Sequence, residues 1–240
     1  MFIGNFISFV RQFRVDHRCR DLNDLLGFWQ EYDFIGLDRD GTLGGHHAPK
    51  PDPRILGVLQ TISRRTEVVS NCAFCQLVKI RDIYAEMVSA SIMVGFGEMG
   101  LPHLLRFEKG SGKLRVLRYY PTVGMLCDVT SRLAQGDALF EKPTRIYRKP
   151  NPWVLQAVVA LAVREGRILA RNPRVLYVGD KFFTDVRCAN LAGFEAARVK
   201  TIGQLSDLRE WRIDFVLERL LFDLPIGAIL SRLADMFSAH

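Results

Sequence analysis

Residues 33–43 read Asp-Phe-Ile-Gly-Leu-Asp-Arg-Asp-Gly-Thr-Leu, and this stretch decides how the rest of the chain is read. Its short apolar run, 33–38 (DFIGLD), is of the kind that is buried on both faces of a parallel sheet. The run ends in Asp38 and Asp40, two carboxylates placed where such a strand gives out. Gly41 lets the chain turn sharply, and Thr42 offers a hydroxyl to hold the turn. In an open parallel sheet the ligand crevice lies beyond the carboxyl ends of the strands, so both aspartates are expected at its mouth.

The same alternation continues outward. Asp52-Pro53 supplies an N-cap and a first-turn proline for a helix with Ile55, Leu56, Leu59 and Ile62 on one face. Residues 66–70 (TEVVS) read as the next strand, and about 74–89 as a helix. Two β-prone runs within 104–120 flank a charged tip at 108–113, which signals a hairpin. A helix is expected over 123–133. Asn151-Pro152 repeats the cap-plus-proline start and opens an apolar helix. Residues 174–178 form a buried strand running into Gly179-Asp180, 195–199 form the last strand, and 224–237 form an amphipathic helix. Strands alternating with amphipathic helices predict an α/β fold, Rossmann-like and doubly wound, with a mostly parallel sheet.

The chain has 240 residues, 48% hydrophobic and 25% charged, which suits one soluble α/β domain able to bury its own core. Five cysteines without the spacing of a small secreted scaffold read as reduced thiols. A net charge of +7, spread over scattered arginines, favours anionic ligands or surfaces. No ribbon of interleaved basic and aromatic residues is present, so no nucleic-acid partner is expected. No apolar run is long enough to span a bilayer.

At the N-terminus Phe2, Phe6, Phe9 and Phe13 fall near helical spacing, with Ile3, Ile7 and Val10 beside them and arginines following. The order of basic and apolar residues is not that of a signal peptide. Residues 1–32 are read as an amphipathic helical leader that packs on the domain, with an interfacial membrane anchor as the alternative. The expected location is cytoplasmic, with peripheral membrane contact and organellar targeting left open.

Four short motifs fall where strands end: Asp38-Arg39-Asp40-Gly41-Thr42-Leu43, Ser70-Asn71, Lys149-Pro150, and Gly179-Asp180 continuing to Asp185. Their residue types suit phosphoryl transfer, which needs a nucleophile, a metal, fixed positive charge and a proton source. Asp38 can act as nucleophile, giving an aspartyl-phosphate. Asp40 is placed to protonate the leaving oxygen and later to activate water. Ser70, Asn71 and nearby backbone N–H groups can bind phosphate oxygens, and Lys149 supplies the cation. Asp38 and Asp180 offer hard oxygen ligands for Mg²⁺. Asp185 is expected to orient Lys149 or the metal's water.

In order and context these motifs resemble the haloacid dehalogenase superfamily over roughly residues 34–199. The resemblance implies a catalytic domain at 33–240 of the type called HAD-like, a small insertion at about 96–140 and no large cap. It also implies that the Asp40 backbone carbonyl joins the Mg²⁺ ligands. The dehalogenase reaction is disfavoured, because that branch lacks the carboxylates that Asp40 and Asp180 supply.

Within subfamily III, the fourth motif with Val186, Asn190 and Gly193, and the leader, look like the phosphatidylglycerophosphate phosphatase branch. That branch usually carries Asn where this chain has Gly41. The wording of the first motif and Arg148-Lys149-Pro150-Asn151-Pro152 look more like sugar- and histidinol-phosphate phosphatases. The expected activity is hydrolysis of a phosphate monoester on a small molecule or lipid headgroup, with possible contact to an anionic membrane. The alternative is a soluble monoester, with the hairpin acting as a miniature cap. A catalytically silent binding module would be expected to have lost a carboxylate, and Asp38, Asp40 and Asp180 are all present. Cys72 and Cys75 with His46 and His47 form a weak zinc pattern. Reduced thiols and a loop near the site are the preferred reading.

Overall fold

The computed structural model describes residues 8–45, 48, 50–71, 86–96, 101–133, 147 and 149–202. Nine strands form one sheet among these residues. They are β1 (His17–Arg18), β2 (Phe34–Leu37), β3 (Thr66–Val69), β4 (Ser89–Phe96), β5 (Leu101–Phe107), β6 (Leu114–Tyr120), β7 (Met125–Asp128), β8 (Val175–Gly179) and β9 (Glu195–Arg198). Their order across the sheet is β1-β9-β8-β2-β3-β4-β5-β6-β7. β1 through β4 in that order are parallel, and β5, β6 and β7 continue antiparallel.

The apolar strands are continuous because both faces are buried, and the period of two sorts their residues into two cores. Ile35, Leu37, Val68, Leu176 and Val178 meet Ile55, Val58, Leu59 and Ile62 on one face. Phe34, Val69, Val175 and Tyr177 meet Val154, Leu155, Val158 and Leu161 on the other, with Cys188 and Ala189. Helix α1 (Leu56–Ile62) therefore covers the first face. Helices α3 (Trp153–Arg164) and α4 (Arg187–Ala192) cover the second, and α2 (Thr130–Leu133) is a short helix after β7. Each fully buried Leu or Ile contributes about 1.5–3 kcal/mol relative to exposure, so the two cores dominate the stability. This is the α/β, Rossmann-like, mostly parallel architecture expected from the sequence. The order reverses at β2, which lies between β3 and β8, and this is the switch point where a crevice opens.

Helix starts follow their caps. The Asp52 carboxylate accepts from Arg54 N at 2.9 Å, and a 3₁₀ turn at Pro53–Ile55 leads into α1. Asn151 Oδ1 accepts from Trp153 N at 2.9 Å at the head of α3. The helix expected over 123–133 is largely absent. Residues 121–124 form a turn, β7 follows, and only α2 is helical. Pairing with β6 captures Met125–Asp128 as an edge strand, overriding a local pattern that fits either state.

The hairpin of β5 and β6 is part of the main sheet. Arg106 on β5 donates to Glu67 Oε1 on β3 at 3.1 Å, and Ser91 on β4 donates to the same oxygen at 2.5 Å. These buried, mutually satisfied charges fix the register of three adjacent strands. The hairpin tip reaches the strand starts, where Lys109 N donates to Ser89 Oγ and Lys109 Nζ to Ser63 Oγ. It therefore lies at the end of the sheet opposite Asp38, and the expectation of a miniature cap over the site is corrected.

From Ser8 the described part of the leader belongs to the same body. Val10 and Phe13 are buried, Phe13 meets the Phe183 ring edge-on at 5.5 Å, and β1 pairs with β9. Residues 22–31 form 3₁₀ turns, so the helical character expected through residue 32 does not extend that far. No helix among the described residues is long and apolar enough to cross a membrane. The expected helices at 74–89 and 224–237 fall almost wholly or wholly outside the described residues.

Candidate functional site at the strand ends

Asp38 follows β2 directly, and its backbone N–H continues the ladder to Val178 O at 2.8 Å. Its carboxylate meets the Lys149 ammonium, which arrives from the loop ahead of α3. The Asn71 carboxamide clamps that loop, accepting from Lys149 N at 2.8 Å and donating to Lys149 O at 3.3 Å. The Lys149–Pro150 peptide is cis.

Lys149 Nζ donates to Asp38 Oδ1 at 2.5 Å, to Asp185 Oδ1 at 2.6 Å and to the Tyr177 hydroxyl at 2.7 Å. Three acceptors match the three donors of an ammonium. The Tyr177 hydroxyl in turn donates to Val69 O at 3.0 Å. Burial pushes the Lys149 pKa down, but Asp185 and Asp38 outweigh it and hold it well above the ordinary value. Burial and Asp185 raise Asp38 to about 6 against the pull of Lys149, so at neutral pH Asp38 is an anion facing a cation.

Asp180 follows β8. The chain then makes a π-helical turn over Phe182–Val186 that brings Asp185 back to the strand end. There Asp185 Oδ2 accepts from Lys181 N at 3.1 Å. Asp38, Asp180 and Asp185 each offer an oxygen within 4.8 Å of the others, and all three are buried. Burial first, then Asp185, raises Asp180 to about 8. Asp180 Oδ2 accepts from Thr201 Oγ1 at 2.9 Å, whereas Oδ1 is buried with no hydrogen-bond partner among the described residues. Clustered carboxylates with one buried, unpartnered oxygen fit a small hard cation such as Mg²⁺. Lys149 serves Asp38 and Asp185, and burying Asp180 as a third anion beside them is costly without a further cation.

The first motif turns as its glycine suggests. Gly41 has φ +85°, its N–H donates to Gly44 O at 2.8 Å, and a Cβ on it would collide with the Asp180 carboxylate. Asp40 lies in this turn, and its Oδ1 accepts from Arg39 at 2.5 Å. Thr42, expected to hold the turn with its hydroxyl, does not. The backbone bonds of Gly41 and Leu43 hold it, and the buried Thr42 Oγ1 has no partner among the described residues. Ser70 is buried at the end of β3, and its N–H is committed to Ser91 O at 3.1 Å. Asn71 was expected to bind phosphate; its side chain is committed to the Lys149 backbone.

Sequence reasoning missed Tyr177, Lys181, Arg39 and Thr201. Gly36 was the available sign for Tyr177, since a glycine inside a strand marks close approach. It pairs with Tyr177 across the ladder, and a Cβ there would lie 2.7 Å from a carbon of the tyrosine ring. Lys181 adds a second cation. Burial lowers its pKa, and Asp180, Asp185 and Asp38 raise it further. Cys72, Cys75, His46, His47 and Arg148 lie outside the described residues. Cys19, Cys127 and Cys188 are free thiols.

A family model described as HAD-hydrolase-like matches residues 146–221, under half of the chain. No curated protein and no solved structure matches. The matched segment carries Lys149, Asp180 and Asp185. Over that segment the chain is similar to the HAD-like hydrolases.

Proposed function

We propose that this protein is a Mg²⁺-dependent phosphatase that hydrolyses a phosphate monoester through an aspartyl-phosphate on Asp38. The observation that carries the reading is the convergence of Asp38, Lys149, Asp180 and Asp185 at the ends of adjacent parallel strands. A silent binding module would have no need to cluster three buried carboxylates, two of them on one buried lysine.

In the first step an Asp38 oxygen attacks phosphorus, the bond to the leaving oxygen breaks, and Asp40 gives that oxygen its proton. In the second, Asp40 takes a proton from the water that attacks phosphorus, and Asp38 is released as a carboxylate. Lys149 and the Ser70 hydroxyl face the charge on the transferring group. Asp38, Asp180 and the Asp40 carbonyl would hold Mg²⁺, whose chemistry when bound is neutralisation of phosphate oxygens. Asp185 keeps Lys149 in place, and Arg39 fixes the direction of the Asp40 carboxylate.

For the substrate we favour a monoester carried on something large or held at a surface, such as the phosphatidylglycerophosphate headgroup. Support comes from the hairpin, whose tip lies at the far end of the sheet and so cannot close over a small substrate. The positive net charge favours an anionic surface. Val10 and Phe13 are packed into the domain, while Phe9 of the same segment is exposed. A soluble sugar or histidinol phosphate is the competing substrate.

The test is phosphate release with Mg²⁺ across small phosphate esters, nucleotides and phosphatidylglycerophosphate in vesicles, with Asp38→Asn as control. Turnover confined to the wild-type protein supports the hydrolase reading. Wild-type release by Asp38→Asn refutes it, and a preference for a soluble ester removes the lipid assignment alone.

A further inference from the structure

We infer that Thr201, outside all four motifs, is a positioning residue that determines which oxygen of Asp180 faces the metal; this rests on the magnesium reading above. A carboxylate turns easily about its last torsion, whose wells are broad and roughly two-fold. A metal ligand that turns loses part of its affinity to disorder, so something must stop it.

At Asp180 the stop is visible. Thr201 Oγ1 donates to Oδ2 at 2.9 Å, and Oδ1 is left buried with no partner among the described residues. Asp180 is also one of the three carboxylates whose oxygens lie within 4.8 Å of one another. One oxygen is therefore bonded on the side of Thr201, and the other has no protein partner among the described residues.

Thr201 is itself held on both sides of the crevice. Before it, Val199 N–H donates to Gly179 O at 3.0 Å and Arg198 Nε to Asp180 O at 3.2 Å. After it, Ile202 N–H donates to Gly41 O at 2.7 Å. The short segment beyond β9 thus straps the fourth motif to the first, with the Thr201 hydroxyl on the Asp180 carboxylate between them. Gly41 is the turn whose missing Cβ makes room for that carboxylate. The strap ties the two motifs that supply the proposed ligands into one rigid unit.

The experiment is titration of Mg²⁺ into the full chain, wild type and variants, followed by thermal unfolding and by calorimetric binding. Thr201→Val keeps the shape and removes the donor, and Thr201→Ser keeps the donor. Wild type and Thr201→Ser should respond at similar concentrations. Thr201→Val should need about 10- to 100-fold more Mg²⁺, as loss of a group that orients a metal ligand does. If Thr201→Val does not fold, Thr201→Ala against Thr201→Ser gives the same comparison. A wild type that ignores Mg²⁺ overturns the magnesium reading itself. A wild type and a donor-less variant that respond alike leave that reading standing and overturn the role of Thr201.

Discussion

Lys149 Nζ stands 2.5 Å from Asp38 Oδ1, joining a loop ahead of α3 to the end of β2 across 111 residues of chain. The pair is buried, and the ammonium is held also by Asp185 and Tyr177. Removing one member of such a set leaves an uncompensated charge, and the two sides of the set should fail differently.

Asp180→Ala and Lys149→Ala should both lose most activity, for separable reasons. Asp180→Ala weakens the metal site, so excess Mg²⁺ should restore part of the rate. Lys149→Ala removes fixed charge from the transition state, and added metal should not restore it. Rate against Mg²⁺ concentration for the two variants is the measurement. Superimposable curves would refute the assignment of roles.

Stability without metal should fall as pH rises. Asp38 and Asp180 are raised in the folded protein to about 6 and about 8 from an ordinary 3.8. Both therefore keep protons that the unfolded chain gives up. Their contribution is fully present below about pH 4 and is lost as pH climbs through about 8. Mg²⁺ needs the deprotonated carboxylates, so its stabilising effect should grow across the same window. Melting temperatures with and without Mg²⁺ at several pH values test this, and a Mg²⁺ effect independent of pH would contradict it.

Tyr177→Phe should keep the fold and slow the chemistry. It removes a hydroxyl that bridges Lys149 Nζ and Val69 O. A hydrogen bond to a charged group is worth about 1.5–3 kcal/mol, which corresponds to roughly 10- to 100-fold in rate. The loss should fall on kcat rather than KM, because Tyr177 steers the lysine and has no contact with the substrate assigned to it. An unchanged kcat would show that Lys149 holds its place without it.

Gly41→Ala should abolish the response to Mg²⁺. The added Cβ would strike the Asp180 carboxylate, and the residue sits at φ +85°, where a side chain is strained. Thermal unfolding with Mg²⁺ is the readout, and a wild-type shift would mean that Asp180 is not where the metal binds.

The sequence was most readable where local chemistry and burial agree. The run Phe34–Leu37 ending in Asp38 announces a parallel strand and its crevice, and the caps at Asp52 and Asn151 place α1 and α3. It was least readable where distant strands decide. Met125–Asp128 is a strand because β6 is beside it, and no local residue says so. Tyr177 and Thr201 were missed for the same reason, since each matters through a hydroxyl that reaches a group distant in the chain. Asn71 was in the right place but has its carboxamide committed to Lys149, a pairing across 78 residues.

The central claim is that phosphorus is transferred to Asp38. Rapid quenching of a single turnover, followed by borohydride reduction and peptide mass spectrometry, observes that transfer directly. Asp40→Asn is a useful background, since losing its acid–base role should slow both formation and breakdown of the intermediate by about 10²–10⁴-fold and bring them onto a time scale that quenching samples. The account predicts a reduced aspartyl-phosphate at Asp38 in that variant and none in Asp38→Asn. Label on another residue, or continued turnover by Asp38→Asn with no label at all, would contradict it.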